Sequence, residues 1–207
     1  MRAAAAAAAE AGGPRPALVC TGALTNAALL LSVHPGLASL VDVVFMGGSM
    51  GKGNTGAVAE FNIQCDPEAA AAVLSSGARV AMVPLDVTHT ALATPGVLRR
   101  IGTSSAFRSV TSELLTFFGE TYRRVFQFED PPLHDPCAVL YALEPELFEV
   151  ESMRVDVECG SHLSAGQTVC DFWGQSGRVP NCDVTTRMDV GAFWDRQLAA
   201  VDAADAR

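Results

Sequence analysis

Short apolar runs alternate with helical segments through the first part of the chain. The run at 17–20 is followed by an Ala/Leu-rich segment, Thr25–Val33, with Thr25 or Asn26 available as a cap. A second apolar run covers Val41–Met46 and stops at two glycines. This order predicts a strand, a helix and a second strand.

A Gly-rich polar connection at 49–60 separates the second strand from the next helix. Asp66 is placed to cap that helix and Pro67 to occupy its first position, with the helix continuing to Leu74. Val80–Leu85 is the third apolar run. Strands that alternate with helices predict parallel βαβ units, which bind ligands beyond the carboxyl ends of their strands. Polar segments leave these three strands at residues 21–26, 47–62 and 86–90.

The second half of the chain has a different pattern. Residues 94–127 are predicted to be helical, Phe128–Leu133 to form a loop and Asp135–Leu143 to form a helix. A last helix is predicted at Val190–Ala203. Three segments alternate like antiparallel or edge strands, namely Arg154–Glu158, Gln167–Phe172 and Thr185–Met188.

Composition narrows the class of protein. The 207 residues carry 14 Lys and Arg against 23 Asp and Glu, which argues against a nucleic-acid binder because phosphate contacts need clustered cations. No apolar run approaches the roughly 20 residues of a membrane span, so we expect a cytoplasmic protein without a membrane partner. Six cysteines without a C-x-x-C pair indicate reduced thiols rather than a zinc site. Residues 1–16 are Ala-rich, and we expect a disordered or helical lead-in before a domain at 17–207.

Two groups of residues are candidates for chemistry. Asn54, Glu60 and Asn62 lie in one Gly-rich loop, where two amides and a carboxylate suit vicinal hydroxyls, although such residues are also common in ordinary surface loops. His134 and Asp135 form the second group. Asp135 is equally explained as the cap of the following helix, whereas the His134 imidazole can change charge near neutral pH.

Five sequence blocks, in order, resemble the inosine–uridine-preferring nucleoside hydrolase family. The blocks are Thr21–Asn26, Val44–Gly48, Gly53-Asn54 with Ala59–Asn62, Asp66–Ala70 and His134–Val139. The resemblance extends from Ala17 to the C-terminus. It implies hydrolysis of the N-glycosidic bond of purine or pyrimidine ribonucleosides to ribose and a free base. It also implies a Ca²⁺ ion that holds the attacking water and the ribose hydroxyls.

The resemblance also implies roles for single residues. Asp135 resembles a calcium-ligating Asp, and Thr25 resembles the residue that offers its main-chain carbonyl to the ion. His134 resembles the residue beside the leaving base and is a candidate general acid, because a base leaves faster when protonated. The implied substrate-binding residues are Met46, Asn54, Glu60 and Asn62.

The chain departs from the family in one respect. The family's Asp-rich motif, Asp-x-Asp followed by two adjacent Asp, does not occur in these 207 residues. We therefore expect an α/β fold, a Rossmann-like, mostly parallel sheet with flanking helices that lacks the family's first strands. Thr25 and Asp135 are too few for the roughly six to eight oxygens that surround Ca²⁺. We accordingly predict no substantial hydrolase activity for this polypeptide alone.

Three hypotheses remain open. The first is a ribonucleoside hydrolase, assembled as a dimer or tetramer as the resemblance implies. The second is a non-catalytic nucleoside-binding or regulatory paralogue that keeps the ribose contacts without metal. The third is a structural remnant without a ligand. We use the name His134–Asp135 step for these two consecutive residues. The first two hypotheses predict that the Gly-rich loop and the His134–Asp135 step converge in one pocket.

Overall fold

A computed structural model describes residues 13–206, and a six-stranded sheet lies at its centre. The strands are Ala17–Cys20 (β1), Asp42–Met46 (β2), Arg79–Val83 (β3), Phe148–Val157 (β4), Thr168–Asp171 (β5) and Cys182–Met188 (β6). Most of the predicted lead-in, residues 1–12, lies outside the described residues.

Helices flank the sheet on both faces. Those in the described residues are Thr25–Val33 (α1), Phe61–Cys65 (α2), Pro67–Leu74 (α3), Leu85–Thr88 (α4), Pro95–Ile101 (α5), Ala106–Phe126 (α6), Asp135–Leu143 (α7) and Val190–Asp205 (α8), with short 3-10 turns at Pro35–Ser39 and Pro145–Leu147. Within residues 13–206, none of these helices combines the length and apolar character needed to cross a bilayer.

The strand order is β1-β2-β3-β6-β4-β5. The pairs from β1 through β3 to β6 are parallel, whereas β4 runs antiparallel to both β6 and β5. The predicted α/β class with a mostly parallel sheet is therefore confirmed, as are the antiparallel strands near the C-terminus.

Successive side chains of β2 point to opposite faces of the sheet, and the core has one layer on each face. Val43 and Phe45 point into one buried cluster, which includes residues of α1 and α3, and Val44 and Met46 point into the other, which includes residues of α7 and α8. Because both faces of a parallel sheet are covered, its strands can be continuously apolar. All four of these side chains are buried.

Local signals predicted the helix starts with mixed success. The Asp66 carboxylate accepts from the Ala69 amide at 3.0 Å, which confirms the predicted cap of α3. The prediction that Thr25 or Asn26 caps α1 is wrong, because the cap is Leu24 and no side chain bonds to the first turn. The Thr25 hydroxyl instead donates to Asp66, 41 residues away.

Three predicted boundaries also differ from the structure. The helical region at 94–127 is broken at Gly102, which ends α5 with a φ of 70° that glycine adopts without strain. The third strand ends at Val83 rather than Leu85, because Pro84 precedes the short helix α4. β4 begins at Phe148, six residues earlier than predicted, since its pairing with β6 extends it.

Candidate active site

The carboxyl ends of three parallel strands bring the polar segments to one edge of the sheet. Cys20 of β1 pairs with Phe45 of β2, and Met46 of β2 pairs with Val83 of β3, so the segments that follow leave side by side. Asn62 connects two of them, since its Nδ2 donates to the Met46 carbonyl at 3.1 Å and to the Thr21 carbonyl at 3.5 Å.

Glu60 holds the Gly-rich loop against the sheet. Its Oε2 accepts from the Gly48 amide at 3.0 Å and the Ile63 amide at 3.2 Å, and its Oε1 accepts from the Asn62 amide at 3.0 Å. The side chain is buried and caps α2. Burial raises the pKa of this carboxyl, and the three backbone donors act in the opposite direction. Three of about four acceptor sites on the carboxylate are occupied, which leaves one for a ligand.

Asn54 is fixed through its oxygen. Its Oδ1 accepts from the Phe61 amide at 2.9 Å, and its main-chain amide donates to the Ala59 carbonyl at 3.1 Å. The loop is so tight here that a Cβ on Gly53 would lie 2.2 Å from the same carbonyl oxygen. Within the part of the chain that the structure describes, the Asn54 Nδ2 has no hydrogen-bond partner, so it remains able to donate to a ligand.

Met46 contributes the apolar side of this edge. Its side chain is buried and its sulfur lies 3.5 Å from Asn62 Nδ2. The predicted substrate-binding residues Met46, Glu60 and Asn62 are therefore in mutual contact or connected through one backbone turn.

His134 lies between two hydroxyl groups. Its Nδ1 is 2.7 Å from Thr88 Oγ1, and its Nε2 is 2.6 Å from the Tyr122 hydroxyl oxygen. Burial and the neighbouring His89 lower the pKa of His134 to about 4. The imidazole is therefore neutral at neutral pH, and both of its nitrogens are already in hydrogen bonds.

Aromatic side chains surround this pair. Tyr122 lies 5.0 Å, centroid to centroid, from Phe118 and from Phe126, and 5.9 Å from Phe128. Burial, reinforced by the charge of Glu60, raises the pKa of Tyr122 to about 12.

Asp135 is not the cap of α7 that sequence reasoning allowed. The cap position belongs to His134, and no side chain bonds to the first turn. Among residues 13–206 the Asp135 carboxylate has no hydrogen-bond or ion-pair partner, and burial raises its pKa. Its charge also raises the pKa of Glu60, which links the His134–Asp135 step electrostatically to the Gly-rich loop.

Thr25 is the first residue of α1, so its main-chain carbonyl points along the helix axis. The metal-binding role that the resemblance implies for this carbonyl stays a prediction. Thr21, which follows β1 directly, is the residue whose carbonyl oxygen meets Asn62.

The oxygen donors at this edge do not fit calcium by themselves. The described residues contain no group of three or more His, Cys, Asp or Glu placed to hold a metal ion. The Asp135 carboxylate and the Thr21 carbonyl fall short of the roughly six to eight oxygens that Ca²⁺ takes.

Sequence reasoning missed Thr88, Thr21 and Tyr122. The signal for Tyr122 was helical spacing, since Gly119 and Tyr122 are the buried residues of α6 and mark its inward face three positions apart. Thr88 and Thr21 carry no comparable signal, because threonine is ordinary in both segments. Their contacts depend on the packing of α4 and β1 against residues distant in sequence.

A cleft of about 520 Å³ lies at the opposite edge of the sheet. It is lined by the first residues of the parallel strands, Ala17, Asp42 and Arg79, and by Tyr141 of α7. None of the predicted site residues lines it, so it is separate from the candidate site.

Comparison with known proteins gives a consistent result. The family model described as "Inosine-uridine preferring nucleoside hydrolase" matches residues 1–195. A probable ribonucleoside hydrolase of Dictyostelium discoideum is 43% identical over 192 residues, which are 89% of this chain and 56% of that protein. The pyrimidine-specific ribonucleoside hydrolase RihA of Salmonella newport is 42% identical over 186 residues, or 88% of this chain and 60% of that one.

Solved structures agree at the level of the fold. The purine-preferring ribonucleoside hydrolase from Gardnerella vaginalis superposes with a TM-score of 0.82 at 28% identity, covering 90% of this chain and 60% of that structure. The chain therefore spans between 56% and 60% of the length of these three similar proteins.

Proposed function

The chain belongs to the inosine–uridine preferring nucleoside hydrolase family, and on that premise we propose that its function is hydrolysis of the N-glycosidic bond of ribonucleosides. The products of this reaction are ribose and a free base. The single observation that supports the proposal best is that the polar segments following β1, β2 and β3 leave the sheet side by side, with Asn62 bonded to the carbonyls of Thr21 and Met46.

The ribose would be held by the groups that the loop leaves unpaired. Asn54 offers its Nδ2 as a donor, and Asn62 offers its Oδ1 as an acceptor, because the other atom of each amide is bonded within the protein. Glu60 adds one acceptor site beside them. Sugar hydroxyls both donate and accept, so this combination suits a vicinal diol. Met46 would face the apolar side of the ring.

The base would leave beside the Tyr122–His134 pair. Burial and the neighbouring His89 lower the pKa of His134 to about 4, which favours the uncharged ring at neutral pH. We assign the supply of a proton to the hydrogen-bonded pair rather than to His134 alone. The aromatic side chains around Tyr122 would stack against a planar base.

We propose that the 207-residue polypeptide alone has no substantial hydrolase activity. The attacking water needs activation, and the described residues supply too few oxygens for the metal that the family resemblance implies. The same shortage favours the second candidate, a nucleoside-binding protein that keeps ribose contacts without metal.

Calorimetry and a ribose-release assay test these statements together. We expect the purified chain to bind inosine or uridine, Asn62→Ala to weaken binding about tenfold or more, and Gln64→Ala to have no effect. Gln64 is the control because it is exposed on the same short helix. Absence of nucleoside binding with or without Ca²⁺, or equal binding by Asn62→Ala, would contradict the proposed site. Rapid ribose release by the chain alone would contradict its predicted low activity.

Assembly as a dimer or tetramer is also part of this proposal. Light scattering on the purified chain measures the mass in solution, and a monomer at working concentration would contradict it for this polypeptide.

A further inference from the structure

Thr88 is a fully buried threonine on α4 whose hydroxyl points at His134. Its exposed fraction is 0%, and its Oγ1 lies 2.7 Å from the imidazole Nδ1. Among residues 13–206 this nitrogen is the only hydrogen-bond partner of the hydroxyl. The neighbouring Thr90 differs, since its hydroxyl donates to the Val87 carbonyl at 2.6 Å.

A buried hydroxyl hydrogen requires an acceptor, because leaving a polar group unpaired away from water is costly. Here the acceptor must be Nδ1 of His134. That nitrogen can accept only if it carries no hydrogen of its own. Two states of the ring are therefore disfavoured, the tautomer with hydrogen on Nδ1 and the doubly protonated ring.

The hydrogen of the neutral ring must then be on Nε2. Nε2 lies 2.6 Å from the Tyr122 hydroxyl oxygen, so the ring donates to that oxygen. The Tyr122 hydroxyl cannot donate back along the same contact, and its own hydrogen points away from His134. Either neutral tautomer leaves one hydroxyl hydrogen without an acceptor among residues 13–206, that of Thr88 or that of Tyr122, because the ring has a single acceptor nitrogen. Thr88 is 0% exposed, whereas Tyr122 keeps 6% exposure, through which water or a ligand can accept its hydrogen. The tautomer that leaves the Tyr122 hydrogen free is therefore the less costly one.

We propose that Thr88 is a positioning residue that holds His134 in the Nε2–H tautomer, so that Tyr122 is the group that presents a hydrogen to a bound ligand. Thr88 donates to Nδ1 of His134, and Nε2 of His134 donates to the Tyr122 hydroxyl oxygen. The identity of the ligand, the leaving base of a nucleoside, rests on the proposed function. The tautomer does not, because it follows from the hydrogen bonds of the protein itself.

Aromatic packing keeps the ring in this orientation. His89 stands edge-on to His134 with the ring centroids 5.5 Å apart, and Phe128 lies 4.9 Å from His89. Rotation of the His134 ring would break both of its hydrogen bonds. Thr88 therefore acts on a ring whose position is already fixed, and its contribution is the choice of tautomer.

Nitrogen NMR on the ¹⁵N-labelled protein tests the assignment directly. Long-range proton–nitrogen correlations at neutral pH distinguish a ring nitrogen that carries hydrogen from one that does not. We expect His134 to show an unprotonated Nδ1 and a protonated Nε2. A protonated Nδ1, alone or together with Nε2, would overturn the proposal without any variant.

Substitutions of Thr88 test whether its hydroxyl causes the tautomer preference of His134. Thr88→Val keeps the shape and removes the hydroxyl, and we expect the tautomer ratio of His134 to shift about tenfold toward Nδ1–H. Thr88→Ser restores the donor and should restore the spectrum, while Thr90→Val is the matched control and should leave it unchanged. An unchanged ratio in a folded Thr88→Val protein would show that the hydroxyl does not set the tautomer. If Thr88→Val does not fold, the wild type and Thr88→Ser still test the proposal. Loss of the Nε2–H form of His134 in the Thr88→Ser variant would contradict it.

Titration with inosine separates this inference from the proposed function. Tyr122→Phe removes the presented hydrogen and should weaken binding while the His134 nitrogens keep their pattern. If inosine does not bind at all but the tautomer is as expected, the proposed function fails and the role of Thr88 stands. If the Tyr122→Phe variant binds inosine with the same affinity as the wild type, Tyr122 does not present its hydrogen to the ligand.

Discussion

The Gly-rich loop and the His134–Asp135 step meet at one edge of the sheet, yet they are held in different ways. In the loop, the Glu60 carboxylate accepts from three main-chain amides, so the backbone itself is fastened. At the step, His134 is held by two side-chain hydroxyls, and Asp135 has no partner among the described residues. The loop is therefore a structural brace with a few unpaired atoms, whereas the step includes a carboxylate, that of Asp135, with no partner among residues 13–206.

The largest expected effect is on the brace. Glu60→Ala would leave three amides without their acceptor, and we expect a loss of about 3 kcal/mol in the free energy of unfolding. Urea denaturation measures it. Glu158→Ala is the control, because Glu158 also accepts from two main-chain amides but lies in a half-buried loop outside the helices and strands. If the two variants were equally stable, Glu60 would not be a brace.

The next expected effect is a pH dependence at the step. The pKa of His134 is lowered to about 4 from 6.5, so between these values the unfolded chain binds more protons than the folded one. Stability from this residue is then fully present above pH 6.5 and is lost as the pH falls toward 4. Denaturation of the wild type and of His134→Gln at pH 7, 5.5 and 4.5 measures the difference.

In that experiment the wild type should lose more stability on acidification than the variant. Comparing the two proteins removes the contribution of groups such as Glu60, whose raised pKa acts in the opposite direction. Identical pH profiles would show that His134 is not held in its neutral form by the fold. His162→Gln, on an exposed turn, serves as the control.

The smallest expected effect on stability is at Asp135. Its carboxylate has no partner in the described residues and burial raises its pKa, so Asp135→Asn should change the free energy of unfolding by less than about 0.5 kcal/mol. Nucleoside binding should weaken in the same variant. A large loss of stability would show that Asp135 braces the fold, and the contrast between the two regions would disappear.

Much of the framework could be predicted from sequence, because its signals are local. The apolar run of β1 and the Asp66-Pro67 start of α3 depend on neighbouring residues, and both are confirmed. The break at Gly102 was missed, since one glycine in a long helical pattern is compatible with either a cap or a continuous helix. The early start of β4 was missed because strand pairing, not propensity, sets its length.

The candidate site was less predictable than the framework. Asn54, Glu60 and Asn62 were identified, but Glu60 proved to be a helix cap with three amide partners. The Thr25 hydroxyl bonds to Asp66, 41 residues away in the chain. Each of these outcomes involves a partner that the local sequence does not specify.

Local sequence patterns specify the alternation of strands and helices and the polar segments that leave the strand ends. The packing of the folded chain sets which of those polar groups are already bonded and which remain for a ligand. It also brought Thr88 and Tyr122, 34 residues apart in the chain, to the two nitrogens of one imidazole. The physical reason is that hydrogen bonds between distant side chains depend on how helices pack, and packing is a property of the whole fold rather than of any segment.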